Sequence, residues 1–349
     1  MAKKNTPTAP TVPLDLWREL YEAAVSFQLL APWQWMNDIH VFGINNEHGV
    51  RLVTVLGNMG EIFGLASYRG SVGADFLLRL RRGEFDPENR DTGYAQDALL
   101  VDFVPRKDLR KEERAILQQL DFKPPVRKPQ RFPQFQSHRP GYIPWFIDEA
   151  EARLLLDDLR KAILFAELLR TNLTLYESRQ ENEFPFFPAS VSEPLTLDQF
   201  EWHTIVPIPP PADPPVDTHG FDLPTLLALP QPAQTTWELT AFYTSMSISE
   251  PPRPYYSKMA LGVDAVTGMI LAFQLGAPDQ TMAQTAARGL VQSIEASGCR
   301  PTSIKMDSTN LIRALQPLAD ALGAKLLQAE SLPMVNEARL SLEAFNRRS

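Results

Sequence analysis

The chain has 349 residues, 44% apolar and 22% charged, with a single cysteine and a formal charge of −8 at pH 7. That length suits two domains and that composition supports packed cores without metals or disulfides, while the negative balance argues against a surface that tracks a phosphate backbone throughout. Cys299 has no partner for a disulfide or a CxxC site, and no run approaches the roughly 20 apolar residues that span a bilayer, so a reducing, cytoplasmic setting is expected.

Met1 to Pro13 mixes Lys, Thr, Pro and Ala without an apolar centre, which reads as a disordered tail and not as a secretory signal. Leu16, Leu20, Ala24, Phe27 and Leu30 recur at helical spacing, and Pro32 ends that helix. Ile39 to Ile44, Arg51 to Leu56 and Ile62 to Tyr68 read as three strands, divided by the turn signals 45–49 and 57–60. Connections so short predict an antiparallel meander, with Trp33, Trp35, Phe42, Phe63 and Tyr68 in its core.

Ala74 to Arg82 and Lys107 to Leu120 read as helices around a strand from Ala98 to Val104. Their basic residues, Arg79, Arg81, Arg82 and the run from Arg106 to Arg114, are the nearest candidates for a local basic patch and read more simply as solvated helix faces. A long helix follows from Ile147 to about Leu175, with Leu154, Leu155, Leu159, Ile163, Ala166 and Leu169 supplying a wide apolar stripe. Residues 14–177 therefore form an α+β domain.

Residues 178–235 read as a connector, because Pro207, Pro209, Pro210, Pro211, Pro214 and Pro215 favour extended, semi-rigid backbone. Phe200, Trp202, Ile205 and Val206 nevertheless alternate roughly as a strand would. A proline-rich stretch of this kind also offers a segment for a protein partner with an aromatic groove.

Residues 236–349 form an α/β domain of order βββαβαβα: strands Trp237 to Ile248, Tyr255 to Val263 and Met269 to Gly276, a helix from Thr281 closed by Gly298, strand Thr302 to Met306, a helix from Asn310 closed by Gly323, strand Lys325 to Ala329 and a last helix from Met334. The five histidines, His40, His48, His138, His203 and His219, have no zinc spacing, the glycine pairs lie in hairpin turns and not in phosphate loops, and no GxSxG elbow occurs.

This order, with Arg253-Pro-Tyr-Tyr, Leu261-Gly-Val-Asp-Ala-Val-Thr-Gly-Met-Ile-Leu-Ala-Phe and Pro301-Thr-Ser-Ile-Lys-Met-Asp307-Ser, resembles the ribonuclease H-like fold of integrases and transposases, over about Trp237 to Phe345. The chain as a whole, with Trp17-Arg-Glu-Leu-Tyr21 and Pro32-Trp33-Gln-Trp35-Met, is similar to bacterial two-domain proteins of unknown function.

The resemblance implies three carboxylates on two strands and the last helix, holding two metal ions about 4 Å apart. Where it implies the first Asp, a few residues after Trp237, this chain has Thr240, with Glu238 two residues earlier on the same strand face. Asp307 stands where the second acid belongs. For the third, Glu337 and Glu343 lie on the last helix, with Leu340 four residues after Asn336, and 35 residues separate Asp307 from Glu343. The bland readings make Glu238 a solvent-facing strand residue, Asp307 a helix cap, Glu337 an acid favoured near a helix N-terminus and Glu343 an exposed helix residue. The expectation is a non-catalytic binding or scaffold protein without a cofactor. The alternative is a magnesium-dependent nuclease or strand-transfer enzyme using Glu238, Asp307 and Glu343.

Overall fold

The computed structural model describes residues 9–57, 60, 62–85, 94–126, 129–189, 194–208 and 212–346, and only the backbone of 245 and 343–346. Residues 1–8 of the expected tail, Asn58 and Met59 of the expected turn, Pro209 to Pro211 and the Glu343 side chain lie outside the described set. The chain divides into two units, one of residues 1–210 with 249–254, the other of 211–248 with 255–349.

The first unit is a seven-stranded sheet with helices on both faces. Helix α1 (Leu14–Leu30) starts after Pro13 and ends at Ala31, whose φ of 53° turns the chain into Pro32. Strands β1 (Val41–Asn46), β2 (Gly49–Leu56), β3 (Gly64–Arg69), β4 (Ala98–Val104) and β5 (Phe132–His138) run antiparallel in chain order, with α2 (Gly70–Arg81) after β3 and α3 (Lys111–Gln119) after β4. The meander thus holds five strands and not three. Strand β5 escapes a period-2 reading because Pro133, Gln134 and Gln136 dilute its apolar signal.

Helix α4 (Glu149–Arg170) opens with a capping box, in which Asp148 and Glu151 each accept the other's backbone N–H. Its buried stripe, Leu155, Leu159, Ala162, Phe165, Ala166 and Leu169, packs with α1 and the inner residues of β1 to β5 into one core. Helix α2 covers the opposite face through Phe76, Leu77 and Leu78 against Val41, Leu52, Ala66 and Tyr68. Tyr68 therefore lies on that second face, apart from Trp33, Phe42 and Phe63.

The stretch expected as a connector is built into both units. Strand β6 (Glu183–Phe186) joins the sheet parallel to β1, and β7 (Glu201–Thr204) follows antiparallel as the edge. Pro185 is tolerated within β6 because that strand meets β1 at the single pair Gly43–Phe186, so few ladder donors are needed on that side. In the second unit Val216 and Leu226, the latter on α5 (Leu223–Leu227), are buried in the core. Apolar residues between the prolines, not the prolines themselves, decide where this stretch goes.

The second unit follows the expected βββαβαβα order. Its strands are β8 (Thr236–Ile248), β9 (Tyr255–Asp264), β10 (Ile270–Gly276), β11 (Ser303–Met306) and β12 (Lys325–Gln328), arranged β10-β9-β8-β11-β12. The first three are antiparallel, and β11 and β12 extend the sheet in parallel. This is a ribonuclease H-like α/β arrangement.

Helices α6 (Met282–Ser297) and α7 (Thr309–Leu322) bury Trp237, Leu239, Ile304 and Met306 on one face. Helix α8 (Pro333–Asn346) covers Leu261 and Val263 on the other. Gly298 and Gly323 end α6 and α7 with φ of 66° and 70°, the left-handed closure expected of them. No helix among the described residues is long and apolar enough to cross a membrane.

Candidate functional site

Strands β8 and β11 are parallel neighbours, with Ile304 opposite Trp237 and Lys305 opposite Glu238. Continuing that register for two residues sets Asp307 beside Thr240. The Thr240 Oγ1 donates to Asp307 Oδ1 at 3.2 Å, with Thr240 buried and Asp307 exposed. Asp307 does not cap α7. Ser308 does, accepting the N–H of Leu311 through its side chain.

Glu238 shares the Thr240 face of β8 but is only 2% exposed, and so is not the solvent-facing residue that alternation suggested. Its Oε2 accepts the backbone N–H of Val335 at 3.0 Å, near the start of α8. Further along the same face, the Arg339 guanidinium lies 4.0 Å from the centre of the Phe242 ring. Glu337 and Leu340 are exposed on α8, and Glu343 belongs to that helix with its side chain outside the described residues.

The structure thus brings Asp307 to Thr240 and ties Glu238 to a backbone donor of α8. A metal pair held as the resemblance implies needs several carboxylate oxygens bridging and flanking the ions. Thr240 supplies a neutral hydroxyl, Glu238 is engaged elsewhere, and among the described residues no three His, Cys, Asp or Glu are grouped to hold a metal ion. Among the described residues, the side chains at this place do not fit a metal pair.

The first unit concentrates its polar chemistry in two buried clusters. In one, Arg51, 1% exposed, donates to Asp158, 0% exposed, at 2.9 Å and to Asp157 at 3.0 Å, while Ser67 donates to Asp158 at 2.6 Å. In the other, Glu151 accepts from Arg69, Ser137 and Arg139 at 2.7, 2.7 and 2.8 Å. Burial alone would raise its pKa. Those hydrogen bonds and charges outweigh it and hold the carboxyl at about 2. Arg253 closes this cluster by donating to Ser137 and to the carbonyl of Ile143.

A polar row lines the other face of β5. Gln134 donates to Glu113, Gln136 donates to Gln134, and His138 meets Gln136 at 3.3 Å. Burial, then the nearby Arg253, Arg69 and Arg110, push His138 down to about 4. Burial also lifts Asp102 to about 6, against the pull of Arg131. Of this row, only His138 stands out in the sequence, and there without a partner. The alternation Gln134, Gln136, His138 was its available signal, hidden because β5 itself went unread.

Residues 17–186 match the family model described as "Domain of unknown function (DUF7309)", and residues 223–343 match that described as "Domain of unknown function (DUF6930)". No curated protein matches the chain. Among solved structures, the chain is similar to the HTLV-2 integrase catalytic core domain in complex with magnesium, at 15% identity, over 32% of this chain and 66% of that one, with a TM-score of 0.24. It is also similar to a chain of the simian T-cell lymphotropic virus intasome in complex with PP2A regulatory subunit B56 gamma, at 15% identity, over 33% of this chain and 40% of that one, with a TM-score of 0.26. This chain spans less than two thirds of each.

Proposed function

We propose that the chain is a non-catalytic, cytoplasmic binding or scaffold protein whose C-terminal domain keeps a ribonuclease H-like frame without its carboxylate set. The hydrogen bond from Thr240 to Asp307 carries this reading. It puts a neutral hydroxyl where the resemblance implies the first acid, and a site built to hold two cations needs negative charge there. The rival reading is a magnesium-dependent nuclease or strand-transfer enzyme using Glu238, Asp307 and Glu343, in which Glu238 would reach the ions with the oxygen that does not accept from Val335.

The test is incubation of the purified chain with labelled DNA or RNA and Mg²⁺ or Mn²⁺. No cleavage above buffer is expected. Metal-dependent cleavage that disappears in Asp307→Ala would overturn the proposal.

The binding role has its own support in the proline-rich stretch. Val206 and Ile208 flank Pro207 and are 70% and 61% exposed, so this stretch is accessible to a partner. Extended proline-rich backbone suits the aromatic groove of a partner domain. Val206→Ser with Ile208→Ser should weaken such a complex, measured by titrating purified groove domains. An unchanged affinity for a domain that binds the parent chain would count against this stretch.

A further inference from the structure

Glu238 is a buried carboxylate to which the non-catalytic reading gives no role. It stands beside the apolar cluster of Leu261, Val263, Leu332, Val335 and Ala338, where a polar group without a partner is costly. Its partner is the backbone N–H of Val335, the third residue of α8. The first four N–H groups of a helix find no acceptor within the helix. At α8, Pro333 has no N–H to satisfy, and Asn336 already bonds back to the Leu332 carbonyl. The residue just before the helix, Leu332, has no side-chain oxygen to offer, although a Ser, Thr, Asp or Asn there is the usual solution.

The acceptor therefore comes from another element, 97 residues earlier in the chain. A carboxylate at this place also faces the positive end of the helix dipole.

We infer that Glu238 is a remote N-terminal cap, a positioning residue that seats α8 on β8 and β9. The inference rests on the non-catalytic reading, in which Glu238 Oε2 serves the start of α8 and not a metal ion. The cap fixes the start of the helix. Leu332, Val335 and Ala338 then meet Leu261 and Val263, and one turn further Arg339 comes to lie over Phe242.

Hydrogen exchange on the full chain tests this, with Glu238→Ala, Glu238→Gln and, as control, Glu337→Ala at an exposed position of α8. A hydrogen bond to a charged group is strong enough that Glu238→Ala should speed exchange of the amides of residues 334–338 by about tenfold or more. Glu238→Gln keeps an acceptor of the same shape and should fall between, while the control and the amides of β2 to β4 stay at parent rates. If Glu238→Ala does not fold, the amide proton shift of Val335 in Glu238→Gln gives the answer, moving upfield as the acceptor loses its charge. Unchanged protection of α8, or an unmoved Val335 amide, overturns the cap. Either result is independent of nucleic-acid cleavage, which alone would sink the non-catalytic reading.

Discussion

Thr240 donates its hydroxyl proton to Asp307 across the β8–β11 pair, so this exposed acid is met by a neutral neighbour. Replacing that neighbour with an acid should reverse the arrangement. In Thr240→Asp two carboxylates would face each other, a repulsion that a divalent cation relieves. The variant is expected to melt below the parent without metal and to gain about 5 °C with saturating Mn²⁺, since a ligand at a hundred times its Kd adds about 2.7 kcal/mol. The parent should show no such gain. A parent gain that Asp307→Ala removes would mean that Thr240 does not prevent binding.

Arg51 and Asp158 form an ion pair in which both side chains are shut off from water. Removing Asp158 leaves the buried Arg51 with Asp157 alone and Ser67 without its acceptor, so Asp158→Ala should lower stability by about 3 kcal/mol in urea unfolding. The double change Arg51→Met with Asp158→Leu removes both charges and should recover most of that loss. A single variant within 1 kcal/mol of the parent, by the same order-of-magnitude scale, would show that the pair is dispensable.

Acid should weaken the first unit in two steps. His138 falls to about 4 in the folded chain from its ordinary 6.5, so the unfolded state takes up more protons between those values and stability drops as pH falls from 6.5 towards 4. Glu151 at about 2 adds stability that is complete above 4.5 and disappears as pH falls from 4.5 towards 2. Asp102, raised to about 6, works the other way and favours the fold as pH falls from 6 to 3.8. His138→Gln should flatten the upper step, and Asp102→Asn should stabilise the chain at pH 7 by about 1–3 kcal/mol. Urea midpoints at pH 4, 5.5 and 7 check both, and a parent-like slope in His138→Gln would assign the step elsewhere.

Gly64 opens β3 where any side chain would strike the neighbouring strand. A Cβ there would sit 1.9 Å from the carbonyl oxygen of Val101, a backbone atom that cannot swing aside. Gly64→Ala should cost about 3 kcal/mol, read as a lower thermal midpoint. A parent-like midpoint would require β3 and β4 to separate without penalty.

Much of this fold was legible because the signals were local. Gly298 and Gly323 marked the ends of α6 and α7, and the apolar stripe from Leu155 to Leu169 marked α4. Strands β5 and β6 were not legible, since a strand whose faces carry Gln134, Gln136 or Pro185 is recognised only by the partner it pairs with. The candidate site divided in the same way. Asp307 beside Thr240 follows from strand order and register, whereas the bond from Glu238 to Val335 joins residues far apart in sequence and leaves no local pattern.

The parallel contact of β6 with β1 bears on how the first unit assembles. Phe186 pairs with Gly43, and its ring occupies the space a side chain at Gly43 would fill, so this join depends on two points separated by roughly 140 residues. Closing so long a loop is slow beside forming the hairpins of β1 to β3, whose contacts are local. A nascent chain would therefore hold most of the meander while β1 still exposes an open edge. That interval, before β6 and β7 have left the ribosome, leaves the edge of β1 open to pairing with a second chain.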